Sequence, residues 1–169
     1  MSNSKVVVLS VATGYLGYRK GIQRLSRNLL DVAHYDGNIK VWINELPPGS
    51  KSHSDVPYQF KPFAFKWAKD NGYRYAIWMD SSINPVRSIQ PIIDIVKEQG
   101  YFLLRNGGYK TGEWLCDDCL EPLGLTREQA WEFPHLMANV MGFDLENDTA
   151  QKFLTEWTTA SDPLFKGEW

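Results

Sequence analysis

Three features of the chain predict an α/β fold, a largely parallel central sheet flanked by helices. Apolar runs that suit buried strands alternate along its length with stretches of helical apolar period. Residues 58–82 set out one such unit in full: an amphipathic helix, a tight turn, a buried strand and a single acid behind it. Its 169 residues make one domain with a sizeable core, and no linker or internal repeat divides them. We therefore expect one domain over residues 1–169.

Each element has its own signature. Residues 5–13 are a continuous apolar run suited to a central strand. Tyr18, Ile22, Leu25, Leu29 and Val32 stripe a helix that ends near Tyr35, before Asp36-Gly37-Asn38. Residues 39–44 form a second strand, and the breaker-rich stretch 47–55 is a loop long enough to close as a lid. Phe60, Phe63, Ala64, Trp67 and Ala68 mark the next helix, which Asn71-Gly72 ends as a left-handed pair. A strand over residues 73–79 leads to Asp80-Ser81-Ser82. Ile89, Ile92, Ile93 and Val96 define another helix, punctuated by Gly100, and Tyr101-Phe102-Leu103-Leu104 is a short strand. Asn106-Gly107-Gly108 opens a flexible loop. Thr126-Arg127-Glu128-Gln129 has capping-box spacing, residues 136–143 suit a strand, and Ala150, Phe153, Leu154 and Trp157 stripe a last helix.

Composition narrows the function classes. A net charge of −2 with scattered Lys and Arg gives no field for nucleic acid or an anionic membrane. No uncharged stretch approaches the roughly 20 residues of a spanning helix. Met-Ser-Asn-Ser-Lys runs directly into the first strand, too short a lead for a signal peptide, so the expected location is the cytoplasm. With seven Trp and eight Tyr, some aromatics should line a site. The first strand leads into Ala12-Thr13-Gly14-Tyr15-Leu16-Gly17, which is not the dinucleotide G-x-G-x-x-G, and no phosphate-binding P-loop motif is present.

The order of motifs resembles glycosyltransferases of the GT-A fold, a Rossmann-like architecture, and in particular their small microbial and large-DNA-virus members. Tyr58-Gln59-Phe60-Lys61-Pro62, then Gly72-Tyr73, then Trp78-Met79-Asp80-Ser81-Ser82-Ile83 carry the likeness. Trp114 to Leu120, Leu123-Gly124-Leu125-Thr126-Arg127-Glu128, Gly142-Phe143-Asp144 and Phe153-Leu154-Thr155-Glu156-Trp157 extend it over nearly the whole chain. The resemblance implies transfer of a sugar from a nucleotide-sugar donor, UDP-hexose by family frequency, to a glycan acceptor hydroxyl. It implies Mn²⁺ or Mg²⁺ held against the donor diphosphate by an Asp-x-Asp motif, where the cation stabilises the leaving group's charge. Here that motif is Asp80-Ser81-Ser82, with a hydroxyl in place of the second acid, so metal binding is expected to be weak, water-bridged or dependent on the donor's own phosphates. Family members continue beyond the region of residues 165–169 into a segment that helps close the metal site. A chain ending at Trp169 either lacks those residues or completes the site differently. For a viral member the expected location is the host cytoplasm.

Candidate site residues follow. Asp80 and Ser82 are the metal positions and, with Ser81, the diphosphate contacts; the alternative for Asp80 and Ser82 is capping of the next helix. Val11, Ala12, Thr13, Gly14 and Tyr15 end the first strand, where the base and ribose would lie; the alternative is a plain strand-to-helix turn. Tyr18 is a second stacking candidate, and Arg19 or Arg24 would reach a phosphate or stay solvated. Lys61 sits in a helical first turn, where a cation opposes the helix dipole, and that conflict marks it as a donor contact. Asp117, in an acidic group with Glu113 and Asp118, is the candidate catalytic base by its match to a recurring acid of the family; it also suits a helix N-terminus. Trp114 and Gly107-Gly108 would form the acceptor side. Asp144 either contacts the acceptor or begins the last helix, and Arg74 is a surface charge. Cys116 and Cys119 have C-x-x-C spacing, but a structural zinc needs a second pair, so buried thiols are expected. The rival function is a non-catalytic nucleotide- or glycan-binding module on the same fold.

Overall fold

The structure, a computed structural model, describes residues 5–164, so residues 165–169 and what the resemblance implies for them lie outside it. Five strands and six helices follow one another as β1 (Val6–Ala12), α1 (Leu16–Asp31), β2 (Asn38–Ile43), α2 (Phe60–Asp70), β3 (Tyr75–Met79), α3 (Gln90–Gln99), β4 (Tyr101–Lys110), α4 (Asp117–Leu120), α5 (Arg127–Glu132), β5 (Pro134–Asp144) and α6 (Asp148–Leu164). The sheet order is β2-β1-β3-β5-β4. β1 is parallel to β2 and to β3, while β5 runs antiparallel to both β3 and β4. Four strands therefore share one direction and β5 opposes them. This is the expected α/β class, with one reversed strand.

Every residue of β1 is buried, because helices cover both faces of the sheet. Strand alternation deals its side chains to two cores. Val7 and Leu9 join Trp42, Phe65, Trp78 and Phe143 on the face that α2 and α6 cover. Val6 and Val8 join Leu25, Leu29, Ile77, Ile93 and Val96 under α1 and α3. Phe65 meets Phe143 edge-on at 4.9 Å, an aromatic pair that ties α2 to the reversed strand. At the other end of the sheet the Tyr35 hydroxyl donates to the carbonyls of Val6 and Asn38, and its burial raises its pKa well above the usual phenol value.

Local differences from expectation have simple causes. Gly72 alone takes the left-handed conformation after α2, at φ 77°, while Asn71 stays at φ −96°. Residues 106–108 are not a free loop. They belong to β4, whose pairing with β5 shifts register between Leu103 and Leu104 and again between Arg105 and Lys110. The 47–55 loop is pinned: Lys51 N–H donates to Gln59 Oε1 at 2.7 Å, Ser52 Oγ to Asp55 Oδ2 at 2.7 Å, and Val56 is buried. The capping box at α5 forms as expected, with Thr126 and Gln129 bonding reciprocally. Among the described residues no helix is long and apolar enough to cross a membrane.

Gly142 is where α3 closes on β5. A Cβ there would lie 2.6 Å from Val96 Cγ2 and 2.8 Å from Ile77 Cδ1. Gly142→Ala should lower the unfolding free energy by about 1–3 kcal/mol, the usual cost of overpacking. Urea titration measures it; an unchanged midpoint would mean that α3 shifts aside freely.

Candidate functional site

β1 and β3 are adjacent and parallel, so their C-terminal ends open into one crevice, the place where α/β sheets receive ligands. A cleft of about 580 Å³ lies there. Val11, Thr13, Gly14 and Tyr18 form one side of it. Lys61, Trp78, Asp80, Ser81 and Ser82 form the other, and His53, Tyr58 and Phe60 complete the rim. A smaller groove of about 340 Å³ between α2 and α6 lies away from the strand ends and is lined by Lys66, Lys69 and Thr155 among others. The strand-end cleft is the one with converging polar groups, and we assign the site to it.

Asp80 is the centre of this cleft. Its Oδ1 lies 3.0 Å from the Lys61 ammonium and accepts a 2.7 Å hydrogen bond from Trp78 Nε1. Its Oδ2 makes no hydrogen bond among the described residues. Asp80 N–H donates to Asn139 O of β5 at 2.9 Å, and its own carbonyl accepts from Ile83 N–H at 2.9 Å. It therefore opens a turn. The helix-capping alternative fails for Asp80 and Ser82 alike, because α3 begins only at Gln90 with Ile89 as its N-cap residue.

Lys61 accounts for its own misfit in the first turn of α2. Its side chain is 5 % exposed, against 33 % for Asp80, so the ammonium sits behind the carboxylate and not in front of it. It also donates to Ala138 O at 2.7 Å and lies 5.4 Å from the ring centroids of Tyr58 and Trp78. Burial lowers its pKa, and the Asp80 charge and hydrogen bond oppose that shift.

The Asp80-Ser81-Ser82 turn is held from the other side by α1. Arg24 donates to Ser82 O at 2.8 Å, so this arginine serves the loop. Gly21 lets the helix approach, since a Cβ there would stand 2.4 Å from Ser81 O. Ala12 is buried and accepts from Asn44 N–H at 3.0 Å, outside the cleft lining. Tyr15 is 73 % exposed and packs edge-on against Tyr18 over a neighbouring groove.

Residues singled out elsewhere in the sequence sit apart. Asp117 does not line this cleft. It is an exposed carboxylate at the start of α4, paired with Arg127, which also donates to Gly112 O at 2.7 Å and Leu115 O at 2.8 Å. Nearby, Trp114 stacks on His135 at 5.0 Å and meets Tyr109 at 5.9 Å, giving an exposed aromatic wall. Asp144 is buried beneath Arg74, which reaches it at 3.1 Å and Glu146 at 3.3 Å; α6 begins only at Asp148. The pair is structural, and Arg74 is more than a surface charge.

His53, Tyr58 and Phe60 were not expected at the site. His53 packs edge-on against Tyr58 at 4.8 Å. Tyr58 holds φ at 61°, a strained value for a bulky residue, beside the cleft. Tyr58 and Phe60 belong to the Tyr58-to-Pro62 motif, but nothing in that motif places them or His53 at the cleft, since the contacts depend on how the loop before α2 folds back.

Among the described residues no three His, Cys, Asp or Glu side chains gather to hold a metal. One carboxylate oxygen and adjacent serine hydroxyls do not make a protein-only shell. They fit a hard cation such as Mg²⁺ that takes one or two carboxylates and completes its shell with a ligand's phosphates and water. Lys61→Met should cost about 1–3 kcal/mol of stability in urea unfolding, since it removes the donor to Ala138 O and the ammonium behind Asp80. No loss would mean that the ammonium does not hold this corner together.

Comparison with known proteins bears on the fold. No protein-family model matches the chain, nor does any curated protein sequence. A solved structure described as a glycosyltransferase involved in the glycosylation of the major capsid of PBCV-1 superposes on it with a TM-score of 0.54 at 13 % identity. The match covers 92 % of this chain and 65 % of that one, just under two thirds of its length. The chain therefore shares the α/β, Rossmann-like fold of that structure.

Proposed function

We propose that the protein transfers a hexose-type sugar from a UDP-sugar donor to a hydroxyl of a glycan acceptor. The observation that carries this reading is Asp80, at the end of a central strand in the main cleft, with one oxygen gripped by Lys61 and Trp78 and the other left for a ligand. The fold shared with a glycosyltransferase supports it.

In this reading the base and ribose lie along Val11, Thr13 and Gly14 beside Tyr18, and the diphosphate faces Asp80-Ser81-Ser82. Asp80, with Ser82 beside it, would hold Mn²⁺ or Mg²⁺ jointly with the donor phosphates, and the ion would stabilise the charge of the departing diphosphate. Lys61 and Trp78 fix the carboxylate's orientation, the role that outer partners play for metal ligands. The aromatic wall of Tyr109 and Trp114 is the acceptor side.

Because a free carboxylate oxygen repels a diphosphate, cation and nucleotide should bind together. Mn²⁺ alone and UDP alone should each move the melting temperature little. Both together, at about 100 times the dissociation constant, should raise it by about 5–10 °C. No shift with any nucleotide, with or without metal, would end the donor assignment.

The second reading, a binding module without turnover, draws on one observation. The proposed base Asp117 lies outside the cleft, with its carboxylate engaged by Arg127. Asp117→Asn keeps the shape and removes the charge. If Asp117 is the base, turnover should fall about 10²–10⁴-fold with donor affinity retained. A variant as active as the parent would remove Asp117 from the chemistry, and absence of transfer in both would favour the binding module.

A further inference from the structure

We propose that Cys116 and Cys119 are a redox modification site, which a low-molecular-weight disulfide converts into an intramolecular protein disulfide. The inference is independent of the proposed transferase activity. The two Sγ atoms lie 3.1 Å apart, and neither cysteine is in a disulfide. The expectation of buried thiols fails at Cys116, which is exposed, while Cys119 is half-buried. Among the described residues no group of three His, Cys, Asp or Glu side chains that could hold a metal is found, and the proposal concerns the chemistry of the two sulfurs themselves.

The backbone permits closure. Cys116 is the N-cap residue of α4, with extended φ and ψ of −72° and 160°, and Cys119 lies in the first turn of that helix. Positions three apart on a helix bring Cβ atoms to about 5–6 Å, and a disulfide requires about 3.5–4.5 Å. The adjustment falls on a helix of four residues, with its end at the free, extended N-cap.

The pair is also asymmetric. Burial pushes the Cys119 thiol up to about 11, with the hydrogen bond to Cys116 and the charges of Cys116 and Asp118 adding to the shift. At neutral pH Cys119 therefore stays protonated and does not initiate exchange. Cys116 is the sulfur that an external reagent meets.

The steps balance. Cys116 loses its proton and its thiolate attacks one sulfur of the reagent. The reagent's S–S bond breaks and one small thiolate departs, taking up a proton. Cys119 then gives up its proton and attacks Cys116 Sγ of the mixed disulfide, expelling the second small thiol. Two protein thiols are oxidised by two electrons, and one reagent disulfide is reduced to two thiols. Asp117 and Asp118 lie between the two cysteines at the start of α4, Asp117 paired with Arg127 and Asp118 acting on Cys119, and a small cationic disulfide is the probe used.

The test uses the full chain and cystamine, read by intact mass and thiol titration. The parent should lose both free thiols without carrying an adduct, and dithiothreitol should restore them. Cys119→Ser should keep a stable cysteamine adduct on Cys116, because nothing is left to displace it. Persistent adducts on both cysteines of the parent, a disulfide between two chains, or a parent that stays reduced while Cys119→Ser is labelled would each overturn the proposal. The parent's own mass decides the question even if the serine variant folds poorly.

Discussion

A carboxylate at the rim of a sheet with an ammonium buried behind it sets the arrangement of the whole cleft. Asp80 ends β3, Lys61 belongs to α2, and the Lys61 ammonium also binds Ala138 O of β5. Three elements from different parts of the chain thus converge on one charge pair. Removing an ammonium from water is costly, and the pair stands because its hydrogen bonds are made: Lys61 to Asp80 and Ala138, Trp78 Nε1 to the same carboxylate oxygen. Phe60 and Trp78 pack at 5.7 Å beside it and keep that corner apolar. The pair fixes orientation more than it adds stability, since ions drawn from water regain little net free energy.

The same geometry shows why parts of the fold are legible in the sequence and parts are not. β1, α1, α2, β3 and α3 declare themselves because burial is set by their own pattern, a continuous apolar run for strands covered on both faces and a period of 3.6 for the helices. The α5 capping box is equally local. The direction of β5 is not local. Its apolar pattern would serve either orientation, and only its place between β3 and β4 decides. Asn106-Gly107-Gly108 has the composition of a loop, and it forms the irregular stretch between the Arg105–Leu136 and Lys110–Pro134 pairs, with β4 resuming beyond it. The breaker composition is thus met by a bulge inside the strand.

Site legibility divides in the same way. Asp80 is visible because an acid at a strand's C-terminal end has a known geometric meaning, and Lys61 because its charge contradicts its helical position. Gly21 gives no such sign: its lack of a side chain matters only because Ser81 O from another element lies against it. His53 and Tyr58 likewise reach the rim through a loop whose path depends on Gln59 binding Lys51. Arg24 and Arg74 look like solvated charges in a one-dimensional pattern, and each is committed to a partner more than fifty positions away in sequence, Arg24 at a separation of 58 and Arg74 at 70.

The order of the two charges bears most directly on what the cleft accepts. Had the ammonium stood in front of Asp80, it would have met an anionic ligand itself and repelled a second cation. At 5 % exposure it stands behind a carboxylate exposed to 33 %, and it is screened from the cleft by the group it neutralises. The outer oxygen then faces the cleft while the Lys61 and Trp78 contacts keep the carboxylate oriented. On the proposed reading such a surface would disfavour a bare diphosphate and favour one that arrives with a divalent cation. With serines at positions 81 and 82, few protein oxygens would be left to hold the cation alone. A single oriented carboxylate would then suit a site assembled by its substrate, with Lys61 as the group that orients it.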